Sequence, residues 1–242
     1  MRTGLFILIL LTNTMRLCGQ DKTLFPYLTK VSIDKTFNVI FGYDKKSSRL
    51  INKPCYLLSK NDPLHCDKDI VLAEWVLVAK FKIENVNDSV NIIYSPGMSD
   101  DPGFVISTKS DKIIGRFSCI EFYINNSGTV YTSGHVNNMY DRRRKFQVQT
   151  DSITEIKQPY NFVGLKGKAL RDVTLYNDKI GDGIVAQIPK GYQVEILLAE
   201  STTRDFEMDL NFLVKTEFGL VGWLRLEGFS DRVIEGLYFA GD

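Results

Sequence analysis

Residues 211–224 read NFLVKTEFGLVGWL, two short apolar strands joined by a tight turn. Apolar side chains alternate through Phe212 and Val214, which is the period of a strand with one buried face. Gly219 then supplies the positive φ of a hairpin turn, and Gly222 with Trp223 resumes an apolar strand. The stretch predicts a β-hairpin near the end of the chain.

A period of two also recurs through the rest of the sequence. It is clearest in one long strand, where a single face carries Trp75, Leu77, Ala79, Phe81 and Ile83. Residues 120–124 alternate in the same way, and the Asn- and Gly-containing segment 125–128 predicts a turn into a strand at 129–131. Further strands are predicted at 37–41, 90–94, 103–107, 145–149 and 153–157. The pattern predicts an all-β protein, an antiparallel sandwich or barrel followed by a small barrel.

Gln158-Pro159 is typical of a domain boundary, because Pro cannot donate to a sheet ladder and favours extended backbone before it. We therefore predict an N-terminal β domain at residues 20–158 and a second domain at 159–242. Each segment is long enough for one domain.

The second segment resembles bacterial Src-homology-3-like (SH3b-type) domains. The resemblance rests on Ile188-Pro189-Lys190-Gly191 before an alternating strand, and on Gly222-Trp223 after the turn at Gly219. It implies a first strand at 169–176 and a small SH3-like barrel. The corresponding stretch at 173–178 lacks the Arg and Pro of the family's "NVRxGPS" phrase, which weakens the transfer of cell-wall peptide binding. The N-terminal segment resembles no family that we recognise.

Domains of this type bind ligands in a groove between loops, where aromatic side chains lie at strand ends and turns. The resemblance thus implies ligand-binding roles for Tyr176, Tyr192, Phe218 and Trp223. Rigid rings provide contact area at a small entropic cost. For Trp223, packing inside the barrel is the alternative.

The chain begins with Met1-Arg2 and a seven-residue apolar run, Leu5 to Leu11, which polar residues then interrupt. This is the layout of a signal peptide, and the run is too short for a transmembrane helix. We predict cleavage after Gly19 and a periplasmic or secreted protein. A lipid anchor at Cys18 is the alternative, but Arg16 and Leu17 stand where lipoprotein signals place small residues.

The charge balance gives no sign of a nucleic-acid partner. The chain has 30 basic and 29 acidic residues, a net charge of +1. Loss of Arg2 and Arg16 with the leader leaves 28 basic against 29 acidic residues, a net charge of −1. Such a balance indicates no polyanion partner.

In an oxidising compartment, Cys55 and Cys66 are suited to a disulfide, since Asn61-Asp62-Pro63 forms a turn between them. Buried free thiols are the alternative. Cys119 lies in the alternating run 117–124 and is predicted to be a strand residue.

Catalytic residues are scarce in this sequence. It has two histidines, His65 and His135, and neither has a metal-ligand spacing, so we predict no metal and no cofactor. Cys119 with His135 suggests a cell-wall amidase or peptidase with a Cys nucleophile. That alternative is disfavoured because a Cys in mid-strand lacks the helix dipole that lowers a thiol's pKa.

The basic run Asp141 to Lys145 is predicted to be a solvated loop, with a phosphate- or carboxylate-binding patch as the alternative. We expect an exported, non-enzymatic binding protein that recognises a cell-envelope component or envelope protein through the SH3-like module. A first domain that encloses a small apolar ligand is a third possibility.

Overall fold

The computed structural model describes residues 25–62, 64–66, 75–84, 89–97, 101–201 and 210–241. The signal peptide at residues 1–19 and the lipid site at Cys18 lie outside these residues and remain predictions. The fold is all-β, as predicted, and contains no helix of seven or more residues in its described part. None of the described helices has the length and apolarity needed to cross a membrane.

The described chain forms seventeen strands and one short 3₁₀ helix at Cys55–Leu57. The strands are β1 (Thr29–Asp34), β2 (Val39–Tyr43), β3 (Ser48–Pro54), β4 (Val76–Lys82), β5 (Ser89–Ser95), β6 (Gly103–Thr108), β7 (Ile113–Ser118), β8 (Glu121–Ile124), β9 (Thr129–Gly134), β10 (Arg142–Val148), β11 (Ile153–Glu155), β12 (Tyr160–Lys168), β13 (Val173–Tyr176), β14 (Ile184–Ile188), β15 (Gln193–Glu200), β16 (Asn211–Thr216) and β17 (Val221–Arg225).

These strands form three sheets. The first sheet has the order β1-β2-β8-β9-β10-β11, and β2 and β8 run parallel in it. The second sheet is an antiparallel meander, β3-β4-β5-β6-β7. The third sheet has the antiparallel order β12-β15-β16-β17-β13-β14.

The first two sheets pack face to face as a sandwich around one apolar core. Alternating side chains of both sheets point into this core, as the period of two requires. Aromatic rings fill much of the interior: the ring centroids of Phe104 and Phe122 lie 4.8 Å apart, and those of Phe41 and Phe122 lie 6.1 Å apart. All three residues are almost completely buried. The rings occupy the space that an enclosed apolar ligand would need.

The third sheet surrounds a second core, which includes Ile196, Phe212 and Val214. Two residues of this core, Met139 and Tyr140, come from the connection between β9 and β10 of the first sheet. Both are buried, and the Tyr140 ring meets Phe212 edge to face at 6.1 Å. The connection therefore places side chains of the N-terminal segment inside the C-terminal core.

The C-terminal tail holds this connection in place. Ala240 pairs with Asn138 in an isolated antiparallel bridge, and the Tyr238 amide donates to the Met139 carbonyl at 3.3 Å. The His135 ring also lies 4.7 Å from the Tyr238 ring, centroid to centroid. The two-domain division at residue 158 remains a prediction. The β9–β10 connection precedes residue 158 in the chain, but its side chains pack in the core that the residues after 158 form.

Local corrections concern where strands begin and end. A strand was expected at 169–176, but residues 169–172 lie outside the strands and β13 starts at Val173. The preceding nine-residue strand β12 was not predicted, because Gly164 and Gly167 interrupt its pattern. Gly164 has a φ of 65° beside a register shift between Phe162 and Leu165, where an ordinary residue would be strained.

Two further expectations were wrong in detail. The basic residues 142–145 form the first half of strand β10 instead of a loop, since each pairs with β9 from Arg142 opposite Gly134 to Lys145 opposite Tyr131. Cys119 lies between β7 and β8, where the chain passes from the second sheet to the first, and not within a strand. The hairpin turns at 125–128 and at Gly219 are confirmed, and Gly219 has a φ of 97°.

Candidate functional site

The four aromatic residues implied in ligand binding do not form one cluster. Tyr176 and Trp223 are direct cross-strand neighbours, and theirs is the pair that joins β13 to β17. Tyr192 precedes β15 and packs partly against the second core. Phe218 lies in the β16–β17 turn and is 85% exposed. The structure therefore brings together Tyr176 and Trp223, and separates them from Phe218.

Tyr176 and Trp223 belong to a longer apolar line across the outer face of the third sheet. Residues directly opposite on neighbouring strands share a face of the sheet. Reading the register from β12 through β15, β16, β17 and β13 to β14 links six large apolar residues, which we call the outer row: Phe162, Leu198, Leu213, Trp223, Tyr176 and Ile184. Every strand of the sheet contributes one of them.

The outer row is open to solvent along its whole length. Phe162 and Ile184, at its two ends, are 60% and 62% exposed, and the four residues between them are partly exposed. In the two central strands β16 and β17, the residues on either side of the row, such as Phe212 and Leu224, point inward and are buried. Trp223 thus belongs to the surface and not to the core.

A polar group borders the row beside Trp223. The Lys179 ammonium donates a short hydrogen bond to Glu200, whose second oxygen accepts from the Asn211 amide at 2.9 Å. Hydrogen bonding to Lys179 lowers the pKa of Glu200, and the same bond raises the pKa of Lys179. Lys179 Nζ also lies 5.6 Å from the centre of the Trp223 ring. The two charges neutralise each other and leave the row itself uncharged.

The loop between β13 and β14 presents a further apolar residue next to the row. Ile180 is 88% exposed on this loop. Asp178 organises the loop, because its Oδ1 accepts backbone N–H bonds from Ile180 and Gly181 at 2.9 Å and from Asp182 at 3.1 Å. These bonds lower the pKa of Asp178. An exposed isoleucine on a loop with a defined shape is suited to contact with another molecule.

The proposed nucleophile Cys119 lies in an unsuitable environment. Its thiol is buried in the sandwich core, and burial raises its pKa well above the ordinary value. The thiol donates a weak hydrogen bond to the Phe117 carbonyl, 3.9 Å away. His135 instead places Nε2 2.8 Å from the Tyr238 carbonyl. A buried neutral thiol is a poor nucleophile.

Cys55 and Cys66 form a disulfide, with their Cα atoms 5.3 Å apart. The loop that they close lies against the outer face of the second sheet, where Leu77, Ile93 and Val105 form a small apolar cluster. His65 belongs to this loop, and its Nδ1 lies 3.1 Å from the Leu58 carbonyl. Across the described ranges, no group of three His, Cys, Asp or Glu side chains is arranged to hold a metal ion.

Comparison of the chain with known protein families, with curated proteins and with solved structures finds no match.

Sequence reasoning identified two members of the outer row and missed the other four. Phe162 lies in the strand that was not predicted, and Leu198, Leu213 and Ile184 look like ordinary strand residues in the sequence. The missing information is the register between strands that are not consecutive in the chain, such as Trp223 beside Tyr176.

Proposed function

We propose that this protein is an exported, non-enzymatic binding protein that recognises an extended, apolar peptide segment of another envelope protein through its outer row. The observation that carries the proposal is the unbroken apolar line across all six strands of the third sheet. Single exposed apolar residues are common on protein surfaces, whereas contiguous ones mark sites of interaction.

The dimensions of the row suit an extended segment. Neighbouring strands lie about 4.8 Å apart, so five steps between six strands span about 24 Å. An extended peptide advances about 3.3 Å per residue, and about seven residues would cover the row. The aromatic rings of the outer row, including the Trp223 indole, resemble the anchor residues that contribute most of the binding energy at protein interfaces.

Charge favours an apolar peptide over a cell-wall peptide. Wall peptides carry several carboxylates and amines, which need ionic partners when they leave water. The row contains no charged side chain, and the adjacent Lys179 and Glu200 already pair with each other. The resemblance to SH3b-type domains supports a binding role, and the leader sequence supports the location in the envelope or outside the cell.

The leading alternative is a cell-wall amidase or peptidase that uses Cys119. The burial and the raised pKa of its thiol argue against that role. A direct assay decides the question: purified protein and its Cys119→Ala variant are incubated with cell-wall fragments. Release of wall peptides that disappears in the variant would establish the enzyme and end the binding proposal.

Peptide selection tests the outer row. A random seven-residue peptide library is selected on the mature protein, and the affinities of the recovered peptides are measured for wild type, Phe162→Ser and Phe218→Ser. Both phenylalanines are highly exposed, at 60% and 85%, so neither change disturbs a core. Phe218 lies outside the row and is the matched control.

We expect apolar peptides whose affinity falls about 5- to 30-fold with Phe162→Ser and stays unchanged with Phe218→Ser. Loss of an exposed aromatic anchor is worth about 1 to 2 kcal/mol, which corresponds to such a factor. The reverse pattern would move the site to the β16–β17 turn. Light scattering of the free protein tests whether a second copy of the chain covers the outer row instead. A dimer that Phe162→Ser dissociates would show that it does, and would refute a different protein as the partner.

A further inference from the structure

The first sheet carries a second candidate site, separate from the outer row of the third sheet. A cavity of about 280 Å³ opens on its outer face, above strands β8, β9 and β10. That volume is at the lower end of ligand pockets, which span about 300–1,000 Å³. Gln158, the last residue of the predicted N-terminal domain, forms part of its wall.

Aromatic rings form the floor of this cavity. Tyr123 and Tyr131 are directly opposite each other on β8 and β9. The Phe25 ring packs on both, with centroid distances of 4.9 Å to Tyr123 and 4.7 Å to Tyr131. Gly42 permits this arrangement, because a Cβ at that position would lie 2.2 Å from Cδ1 of Tyr123. The Tyr123 ring therefore lies flat against the backbone of β2.

Lysines stand at both ends of the aromatic pair. Lys145 is opposite Tyr131 on β10, and its Nζ lies 5.7 Å from the centre of that ring. Lys30 reaches the other ring, with Nζ 5.3 Å from the centre of Tyr123. Within the described ranges, neither ammonium lies at ion-pair distance from a carboxylate. Their positive charges are therefore available to a ligand.

The other charged groups at the cavity already have partners. Arg143 donates to Asp141 at 2.8 Å, and the Ser133 hydroxyl donates to the same carboxylate at 2.7 Å. Burial, together with the charge of Glu121 and a hydrogen bond to it, raises the pKa of Tyr123 to about 12. The Tyr123 hydroxyl therefore stays protonated and donates to Glu121. The surroundings carry a net charge of +1, from Lys30, Arg143, Arg144 and Lys145 against Glu121, Asp141 and Glu155.

We propose that this cavity binds a small ligand with a planar apolar body and one oxyanion group, a carboxylate or a phosphate. The body packs against the Phe25 ring and the open edge of the Tyr131 ring, and the oxyanion lies against the Lys145 ammonium. Charge-assisted hydrogen bonds to oxyanions are stronger than neutral ones, and flat apolar bodies gain dispersion contact on aromatic rings. Glu121 lies two strands away from Lys145 and repels a second negative charge.

The probes are indole-3-acetate, phenyl phosphate and the neutral analogue indole-3-acetamide, each titrated into ¹⁵N-labelled protein. For a ligand of this size we expect a dissociation constant on the order of 1 mM, with shifts at the amides of Tyr131, Ser133 and Lys145. Indole-3-acetamide should bind at least fivefold more weakly than indole-3-acetate. The ratio between the two anionic probes tells whether the site prefers carboxylate or phosphate.

Variants separate the site from general surface charge. Lys145→Gln should weaken binding of the anionic probes about fivefold, which is the effect of an exposed charge pair, and Glu121→Gln should strengthen it. Lys112→Gln, on the exposed turn between β6 and β7, is the matched control and should change nothing. Three results would each overturn the proposal. The first is an equal effect of Lys145→Gln and Lys112→Gln, and the second is equal binding of indole-3-acetate and indole-3-acetamide. The third is the absence of saturable binding at 10 mM, roughly ten times the expected dissociation constant.

Discussion

Met139 provides the sharpest test of how the two halves of the chain are joined. It lies between β9 and β10, yet its side chain is completely buried in the core of the third sheet. Truncation to alanine removes three heavy atoms from that core and leaves a cavity. If the connection belongs to the C-terminal core, Met139→Ala must destabilise a sheet whose strands begin about twenty residues further on.

The expected cost follows from the burial. Replacing a fully buried methionine with alanine lowers the free energy of unfolding by about 2 to 5 kcal/mol. Met139→Leu nearly conserves volume and should cost less than about 1.5 kcal/mol. With a urea slope of about 2 kcal/mol/M, the alanine variant should unfold at about 1 to 2.5 M less urea.

Trp223 reports on the third sheet, and Trp75, beside the second sheet, reports on the sandwich. Urea unfolding is therefore followed by fluorescence in a Trp75→Phe background, so that the signal comes from Trp223. Phe218→Ala, at an exposed turn position, serves as the control and should stay within about 0.5 kcal/mol of wild type. An alanine variant at Met139 that also stays within that margin would refute the shared core.

Gly219→Val should destabilise the protein by about 1 to 3 kcal/mol and Gly219→Asn by less, because valine resists the positive φ at this position more strongly than asparagine does. Thermal unfolding of the two variants checks this. Burial acts to raise the pKa of Glu155, but hydrogen bonds from Arg144 outweigh it and lower the pKa overall. The resulting stabilisation is present above pH 4.5, the ordinary pKa, and is lost as the pH falls through the folded-state value, so Glu155→Gln should flatten the acid branch of the stability curve. The bond between Cys55 and Cys66 should contribute about 2 to 3 kcal/mol by closing its loop, and a non-reducing peptide map that finds both thiols free would remove it.

The sequence was informative where one face of a strand is apolar and the other polar. The β16–β17 hairpin, with Phe212 and Val214 inside and Gly219 in the turn, was predictable on these grounds. The first half of strand β10 was not, because basic residues occupy both of its faces at 142–145 and the alternation disappears. In the structure Arg144 is held by Glu155 through hydrogen bonds of 2.8 and 2.5 Å, a contact with β11 that no local pattern indicates.

The candidate sites depend on contacts between distant parts of the chain. The outer row needs β17 beside β13, and the cavity of the first sheet needs Phe25 on rings about one hundred residues away. Gly167 shows the same limit, since a Cβ there would lie 2.3 Å from the Glu235 carbonyl of the tail. Composition and periodicity contain no information on which distant segments meet.

The Cys55–Cys66 bond makes the finished surface of the protein depend on the redox state of its compartment. The loop that it closes covers apolar side chains on the outside of the second sheet, and the main core lies on the opposite face of that sheet. In a reducing compartment the loop loses its tether, and we expect Leu77, Ile93 and Val105 to become accessible while the sandwich persists. Chains without the disulfide would stay folded but expose an apolar patch. Chaperones and proteases would therefore distinguish them from molecules in which the bond has formed and the patch is covered.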